Sequence, residues 1–569
     1  MTARTQRAAA YAVAAALTLV GCAQIPTSGP VRAGDGQVPE PDNVVVLAEG
    51  PQPDSPPERI VGDFLLAGAA GLSGGLDFDV ARQYLYGDAL ADWDPRGGVL
   101  VASGTRIDVP ADSQVTMEAS VRAKVDADGR YSEAAPDARE TVTFELVQDT
   151  RGQWRIANLP DGLVLSPRQF SDRYRPARLF FLTPDEAQLV PEVRYYPASN
   201  LPTSVVRGLL AGPSPWLRDA VRTAVPVGVE LTPAAVLVDA NGVAEVDLGP
   251  PGLVQSAARD LLVAQVTATL SELPQVRSVV VRAGVSGVQI EGGDTGLTTA
   301  GRAELAGGPE MLHERVVDGV GTSELVALVG GRLVPVAGVG PLTGLDARSP
   351  ARSEDGSLRV LLDGPNRLVL APTADAEAVT LLHAPGLAEP SVDRHGWVWT
   401  ASASQVLAVD AAGTSVQVTA PWLVDRDVLW VRVSRDGTRI AVVSEGEDGD
   451  TTVDVAGVVR DEVDGPLQLS EQAPRAGAAV TKAQAAVWID DTRLAVLAGG
   501  PGTATVWIVP VGGPSLALPE VAGAVSLAGG RLEAGLLVAT EDGGLVRYDD
   551  PTWVAVPGVT GVRTPSYPG

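Results

Sequence analysis

Apolar residues in this chain follow two different periods, and the places where one gives way to the other mark its parts. Near the start, a largely apolar run from Ala8 to Val20 follows Arg4 and Arg7. A bilayer-spanning helix needs about 20 apolar residues, so this run is too short to be one. A charged start, a short apolar core and the small Gly21 before Cys22 predict an export signal over residues 1–21. Residues 22–57 carry little apolar pattern beyond Val44 to Leu47, and Pro51, Pro53, Pro56 and Pro57 predict a stiff, extended tether. The helical period begins with Ile60, Phe64 and Ala67 and returns near Asp79 to Tyr86, before Trp93-Asp94-Pro95. It then gives way to strands at Val115–Val125, Glu140–Gln148 and Trp154–Leu159. Asp149-Thr150-Arg151-Gly152 is the turn between the last two.

Residues 176–290 repeat that alternation. Leu179–Leu182 and Leu189–Tyr196 read as strands. Thr203 stands where a helix cap would, before Val205, Val206, Leu209 and Leu210, and Gly212-Pro213 ends that helix. Asn241-Gly242 between Val236–Asp239 and Val243–Leu248 is a strong hairpin signal. Ser256 is placed to cap a second helix carrying Leu262, Val266, Thr269, Leu270 and Leu273. Pro274 stops it, and Val276–Val281 follows as a strand. The order predicts an α/β sandwich. Residues 291–322 are Gly-rich without strong periodicity and read as a linker.

From 323 to 569 the pattern repeats. Five polar turns each precede a strand-like run: Ser353–Gly356, Asp393–Gly396, Ser434–Gly437, Asp490–Arg493 and Ala528–Arg531. Positions 355, 393, 436, 491 and 530 within them are spaced by 38, 43, 55 and 39 residues. A period near 40 with several strands per unit predicts propeller blades, five to seven in number, with a longer blade at the third step.

Composition narrows the functional classes. The formal net charge is −27, and removing residues 1–21, which carry only Arg4 and Arg7, makes it more negative still. Such a body repels nucleic acid and anionic headgroups, so no nucleic-acid partner is expected. Cys22 is the only cysteine among 569 residues, which excludes an internal disulfide. Leu19-Val20-Gly21-Cys22 resembles a bacterial lipobox, with Val20 bulkier than the residue usual there. It implies that mature Cys22 carries an S-diacylglycerol and an N-palmitoyl group. Several acyl chains on one residue suffice for stable anchoring.

Three likenesses name the parts. Two helices followed by a curved antiparallel sheet in 58–175 resemble an NTF2-like α+β domain. Leu209-Leu210-Ala211-Gly212-Pro213, Thr223-Ala224-Val225-Pro226 and Val243–Leu248 resemble the GerMN domain. The opening Cys22-Ala23-Gln24-Ile25-Pro26-Thr27-Ser28-Gly29-Pro30-Val31, followed by these domains and a C-terminal β-propeller, resembles the actinobacterial lipoprotein LpqB family. The fold class is therefore multidomain and mainly β. The resemblance implies a lipid-anchored protein at the extracytoplasmic face of the cell membrane. Its implied partner is the extracellular domain of the sensor histidine kinase MtrB. Modulation of the MtrA–MtrB two-component system, in envelope homeostasis and cell division, would follow.

No enzyme chemistry is expected, and no catalytic, cofactor or metal residue is assigned. The histidines are His313, His383 and His395, and no Gly-x-Ser-x-Gly elbow marks a serine beside one. No two histidines fall at zinc spacing. Glu445-Gly446-Glu447-Asp448-Gly449-Asp450 lacks the twelve-residue calcium loop and reads as a solvated hairpin tip, and Asp490-Asp491 as turn chemistry. Val329-Gly330-Gly331 lacks the lysine of a phosphate loop. Trp397, Trp399, Trp422, Trp430, Trp488, Trp507 and Trp553 all lie in the propeller, as core wedges with one or two left for a binding rim. The alternatives to a protein-binding role are a peptidoglycan- or glycan-binding module and a propeller hydrolase.

Overall fold

A computed structural model of the protein describes residues 48–568, apart from 74–75, 112, 257, 285–286, 303–306, 318–319, 462–463 and 501. The expected export signal 1–21, the expected lipidation site Cys22 and the part of the expected tether up to residue 47 lie outside the described residues.

Helix α1 (Pro57–Gly71) starts on a proline, where a missing N–H is harmless, and carries Glu58 in its positive first turn. Its Ile60, Val61, Phe64 and Ala67 are buried. The second helical stretch is shorter than the sequence predicts. It divides into α2 (Asp79–Arg82) and α3 (Asp88–Asp92). Tyr84 and Tyr86 instead exchange backbone hydrogen bonds with Ile156 at 2.9 Å, so a sheet edge takes the groups a helix would have used.

That sheet holds β1 (Gly98–Ala111), β2 (Gln114–Asp126), β3 (Tyr131–Glu133), β4 (Arg139–Gln148), β5 (Trp154–Asn158) and β6 (Leu163–Leu165), in the order β5-β4-β2-β1-β6 with β3 on β2. Alternate residues of β2, from Val115 and Met117 to Ala123 and Val125, are buried in the core they share with α1. Phe64 meets Trp93 and Phe144 edge-on, with ring centres 5.2 and 6.5 Å apart.

Helix α4 (Pro167–Arg173), closed by a Ser166–Gln169 capping box, leads into the second domain. Strands β7 (Tyr174–Leu182) and β8 (Leu189–Pro197) form a hairpin. Helix α5 (Leu201–Leu210) follows, then β9 (Glu230–Leu231), β10 (Leu237–Val238) and β11 (Val243–Gly249). Helices α6 (Pro251–Ser256) and α7 (Arg259–Ser271) lead to β12 (Ser278–Ala283), which pairs parallel to β11. The Asn241-Gly242 turn forms as expected. Asp239 accepts N–H bonds of 2.8 Å from Asn241 and Val243, and Gly242 has φ +79°.

Two caps differ. Thr203 lies inside α5, which begins at Leu201, and its buried hydroxyl accepts the Val236 N–H at 3.0 Å. Ser256 ends α6 instead of starting α7. Pro251 opens α6 one turn earlier, and α7 begins only after Ala258.

Beyond residue 309 the described residues form six four-stranded antiparallel sheets. Each sheet's inner strand touches that of the next, so the sheets close a ring. Blades 1 to 5 take 347–383, 391–418, 426–469, 483–522 and 524–555 in order. The sixth combines Glu310–Val317, Val320–Val329 and Arg332–Pro335 with the C-terminal strand Val562–Ser566, which is its inner strand. The predicted linker 291–322 therefore ends early. Residues 310–317 and 320–322 are blade, because His313 and Leu312 pair with Val562 and Arg563 at the other end of the chain. The five predicted polar turns all join the inner strand of a blade to its second strand. In the sixth blade the two chain ends meet at that position, so no turn exists to be read.

Candidate functional site

Four of the five repeated turns share one local chemistry. Ser353 and Ser434 donate to Asp355 and Asp436 at 2.6 and 2.7 Å, and those aspartates accept N–H bonds from Ser357 and Thr438. Asp393 and Asp490 likewise accept N–H bonds from within their own turns. These turns, with those joining the third and fourth strands, form one face of the ring. The α/β sandwich is docked there.

Arg439 sits at the centre of that dock. It is buried, pairs with the buried Asp436, and lies 5.1 Å from the Trp488 ring centre. Its Nη1 donates to the carbonyl of Pro191 in the sandwich at 3.3 Å and to that of Asp491 at 2.6 Å. Burial works against ionisation of Asp436, but Arg439 and the neighbouring hydroxyls outweigh it and hold the carboxyl below its ordinary value.

The Asp490-Asp491 pair divides its work. Asp490 stays within the turn and pairs with Arg493 at 2.6 Å. Asp491 reaches across to accept the Gly301 N–H at 2.6 Å, and burial raises its pKa despite a hydrogen bond from Thr299. At the edge of the dock, Arg394 pairs with Asp185 at 2.9 Å. Burial opposes ionisation there too, yet the Thr183 hydroxyl and then Arg394 hold Asp185 down at about 2. Backbone contact is as close: a Cβ on Gly457 would lie 2.8 Å from the carbonyl oxygen of Trp216.

The N-terminal domain joins the same assembly. Glu133 accepts from the Ser515 N–H and hydroxyl at 2.8 and 2.6 Å, and so reaches the ring directly. Arg130 donates to Ser214 at 2.7 Å, and Ser214 donates to the buried Glu192, which pairs with buried Arg194 at 3.1 Å. Gly129, at φ +84°, accepts the Tyr195 N–H at 2.7 Å, and a Cβ there would strike the Tyr195 carbonyl.

A cavity of about 810 Å³ opens where the three domains meet. One wall is a layered aromatic cluster. Phe170 stacks on Tyr174 with ring centres 5.1 Å apart, and Tyr195 lies 5.4 Å from Phe170 and 5.1 Å from Tyr131. Burial pushes Tyr174 and Tyr195 up to about 12 and raises Tyr131 as well, so all three remain neutral phenols. Trp507 of the ring lines the cavity from the other side.

The remaining residues singled out in the sequence are dispersed. His313 lies in the closing blade, His383 at the outer edge of blade 1, and His395 in the first turn of blade 2. Burial, then Arg460, lowers the pKa of His395, whose Nδ1 is 3.6 Å from Asp464. Among the described residues, no histidine shares a hydrogen bond with a serine or threonine. No three acidic or histidine side chains gather at metal-binding distance among them either. Glu445 and Asp450 flank an exposed hairpin turn on the face opposite the sandwich. Trp399, Trp430 and Trp488 are buried wedges, donating to Asp393, to Ala486 and to Arg432. The docking roles of Glu133, Asp185, Arg439 and Asp491 carry no sequence signal beyond turn chemistry. No helix of the described residues is long and apolar enough to cross a membrane.

These features define a class: a six-bladed propeller protein whose ring is clamped to two smaller domains. Family models match in the same order. Residues 50–171 match the lipoprotein LpqB N-terminal domain, 178–288 the Germane domain of sporulation and spore germination, and 323–568 the lipoprotein LpqB beta-propeller domain. Lipoprotein LpqB of Streptomyces coelicolor is 30% identical over 634 residues, covering 100% of this chain and 98% of that one. The Thermobifida fusca protein is 28% identical over 504 residues, covering 76% of this chain and 78% of its own. The chain belongs to the lipoprotein LpqB family. Those descriptions name a lipoprotein and its domains, and no catalysed reaction. Among solved structures, TolB from Acinetobacter baumannii aligns with a TM-score of 0.33 at 14% identity, over 47% of this chain and 67% of that one.

Proposed function

We propose that the protein is a non-enzymatic partner of a sensor kinase, held at the extracytoplasmic face of the cell membrane by lipid on Cys22. The partner is the extracellular domain of an MtrB-like histidine kinase, and the outcome is modulation of the MtrA–MtrB system. One observation carries this reading. The Germane domain occupies one face of the ring, while loops of the opposite face, at 403–405, 447–450 and 541–542, are exposed. That face carries Glu447, Asp448, Asp450, Glu541 and Asp542, and beside Asp425 the side chain of Val424 is 68% exposed. An acidic rim around an apolar contact suits a basic protein surface.

The test is binding of residues 48–568 to the purified sensor domain. Saturable binding is expected, weakened about tenfold by Glu447→Lys with Asp448→Lys, most strongly at low salt, since exposed charges are screened beyond about 10 Å at 0.1 M. No binding at tens of micromolar, with both proteins folded, would sink the reading. The anchor is tested separately. Cys22→Ala abolishes palmitate labelling and moves the protein out of the membrane fraction, whereas persistent labelling rejects Cys22 as the site.

A further inference from the structure

The cavity at the three-domain junction has walls from every domain and lies apart from the open face of the ring. Its volume of about 810 Å³ is within the range of ligand sites, which concentrate at domain interfaces. The stacked Phe170, Tyr174, Tyr195 and Tyr131 line it on one side and Trp507 on the other, with prolines such as Pro136 and Pro514 between them. Polar groups on the wall are few. Ser171 donates to Arg168, and Glu133 is taken up by Ser515. Such a lining leaves little to satisfy the hydroxyls of a sugar, and it favours an apolar body.

Two arginines complete it. Arg122 has no side-chain partner among the described residues. Arg175 uses Nη1 on the carbonyls of Ser171 and Tyr174, at 2.6 and 2.9 Å, which leaves its Nε and Nη2 edge unpaired. Both are exposed, and neither forms an ion pair among the described residues. In a chain with 70 Asp and Glu against 43 Lys and Arg, two arginines without an acid beside an apolar cavity are free to take an anion from outside.

We infer that this cavity binds an anionic amphiphile, with its apolar body against the aromatic wall and its carboxylate or phosphate head on Arg122 and Arg175. Because the wall comes from three domains, the ligand stabilises their docked arrangement. This inference does not depend on the sensor-kinase reading, and either can fail alone.

The test uses the full chain carrying Cys22→Ser, so that no attached lipid competes. Sodium dodecanoate, dodecyl phosphate and neutral dodecan-1-ol are titrated below their aggregation concentrations, with the melting midpoint and tryptophan fluorescence as readouts. Saturable binding of at least one anionic probe is expected, at least tenfold tighter than the alcohol, with a rise in the midpoint. Whichever anion binds tighter identifies the head as carboxylate or phosphate. Arg122→Gln with Arg175→Gln should bring the anion down to the level of the alcohol. Ala479→Trp, which fills the cavity, should abolish binding while the unliganded chain still melts cooperatively, and Trp507→Phe should remove most of the fluorescence change. Equal binding of alcohol and anion, no effect of the arginine pair, binding that survives Ala479→Trp, or no saturable binding at all would each overturn the inference.

Discussion

Arg439 shows how much can rest on one side chain. Its neighbours Asp436, Pro191 and Asp491 come from the turn itself, the sandwich and the next blade. Removing one member of a buried pair strands the other's charge, a cost of about 3–5 kcal/mol. Arg439→Met should lower stability by about that amount in urea denaturation, and Arg439→Met with Asp436→Asn should recover part of it. A second residue adds pH dependence. Burial raises Glu389 to about 7, against a hydrogen bond from Ser349 and the charge of Arg432. Its folded pKa thus lies above the free value of 4.5. The folded state binds the extra proton between these values, so the stability that Glu389 contributes is full below pH 4.5 and is lost as pH rises towards 7. Glu389→Gln should flatten that fall in thermal melts, and an unchanged pH profile would show that another group is responsible.

At the scale of elements, legibility followed local chemistry. Four of the five blade turns were readable because an aspartate that accepts its own turn's N–H groups recurs at the same place, and the fifth, Ala528–Arg531, through its paired glycines. Strand β1 was not, because irregularities after Val101, Ser103 and Asp108 break its alternation and its outer half is exposed on both faces. Thr203 and Ser256 looked like caps because their residue types suit the role. Pro202 and Pro251 sit in the first two positions of α5 and α6, so those helices begin before Thr203 and Ser256 are reached. The junction could not be read at all, since Glu133 and Ser515 are 382 positions apart. Packing of one element against another gives a sharp test at Gly457, in the third strand of blade 3. Gly457→Val would collide with the Trp216 backbone, which cannot move aside as a side chain can. An expected loss of about 1–3 kcal/mol, with faster amide exchange near residues 216–220 than elsewhere, would locate the damage at the dock.

At the scale of the whole molecule, the three domains behave as one body only as long as a few polar clasps hold. Glu133 is the direct one between the N-terminal domain and the ring. Glu133→Ala should leave each domain folded while increasing protease cleavage between residues 158 and 174, and it should enlarge the radius of gyration in small-angle scattering. An unchanged scattering profile would mean that the Tyr195–Gly129 and Arg130–Ser214 contacts suffice. The closing blade has a different consequence. Its inner strand, Val562–Ser566, lies some 250 residues beyond its partner Glu310–Val317. Until Val562–Ser566 is seated the ring is an open crescent, with an unpaired edge on offer to proteases and to other chains. A chain without Val562–Ser566 never shuts that edge. Two stretches of chain far apart in sequence thus share one seam, and loss of either exposes the same edge of the other.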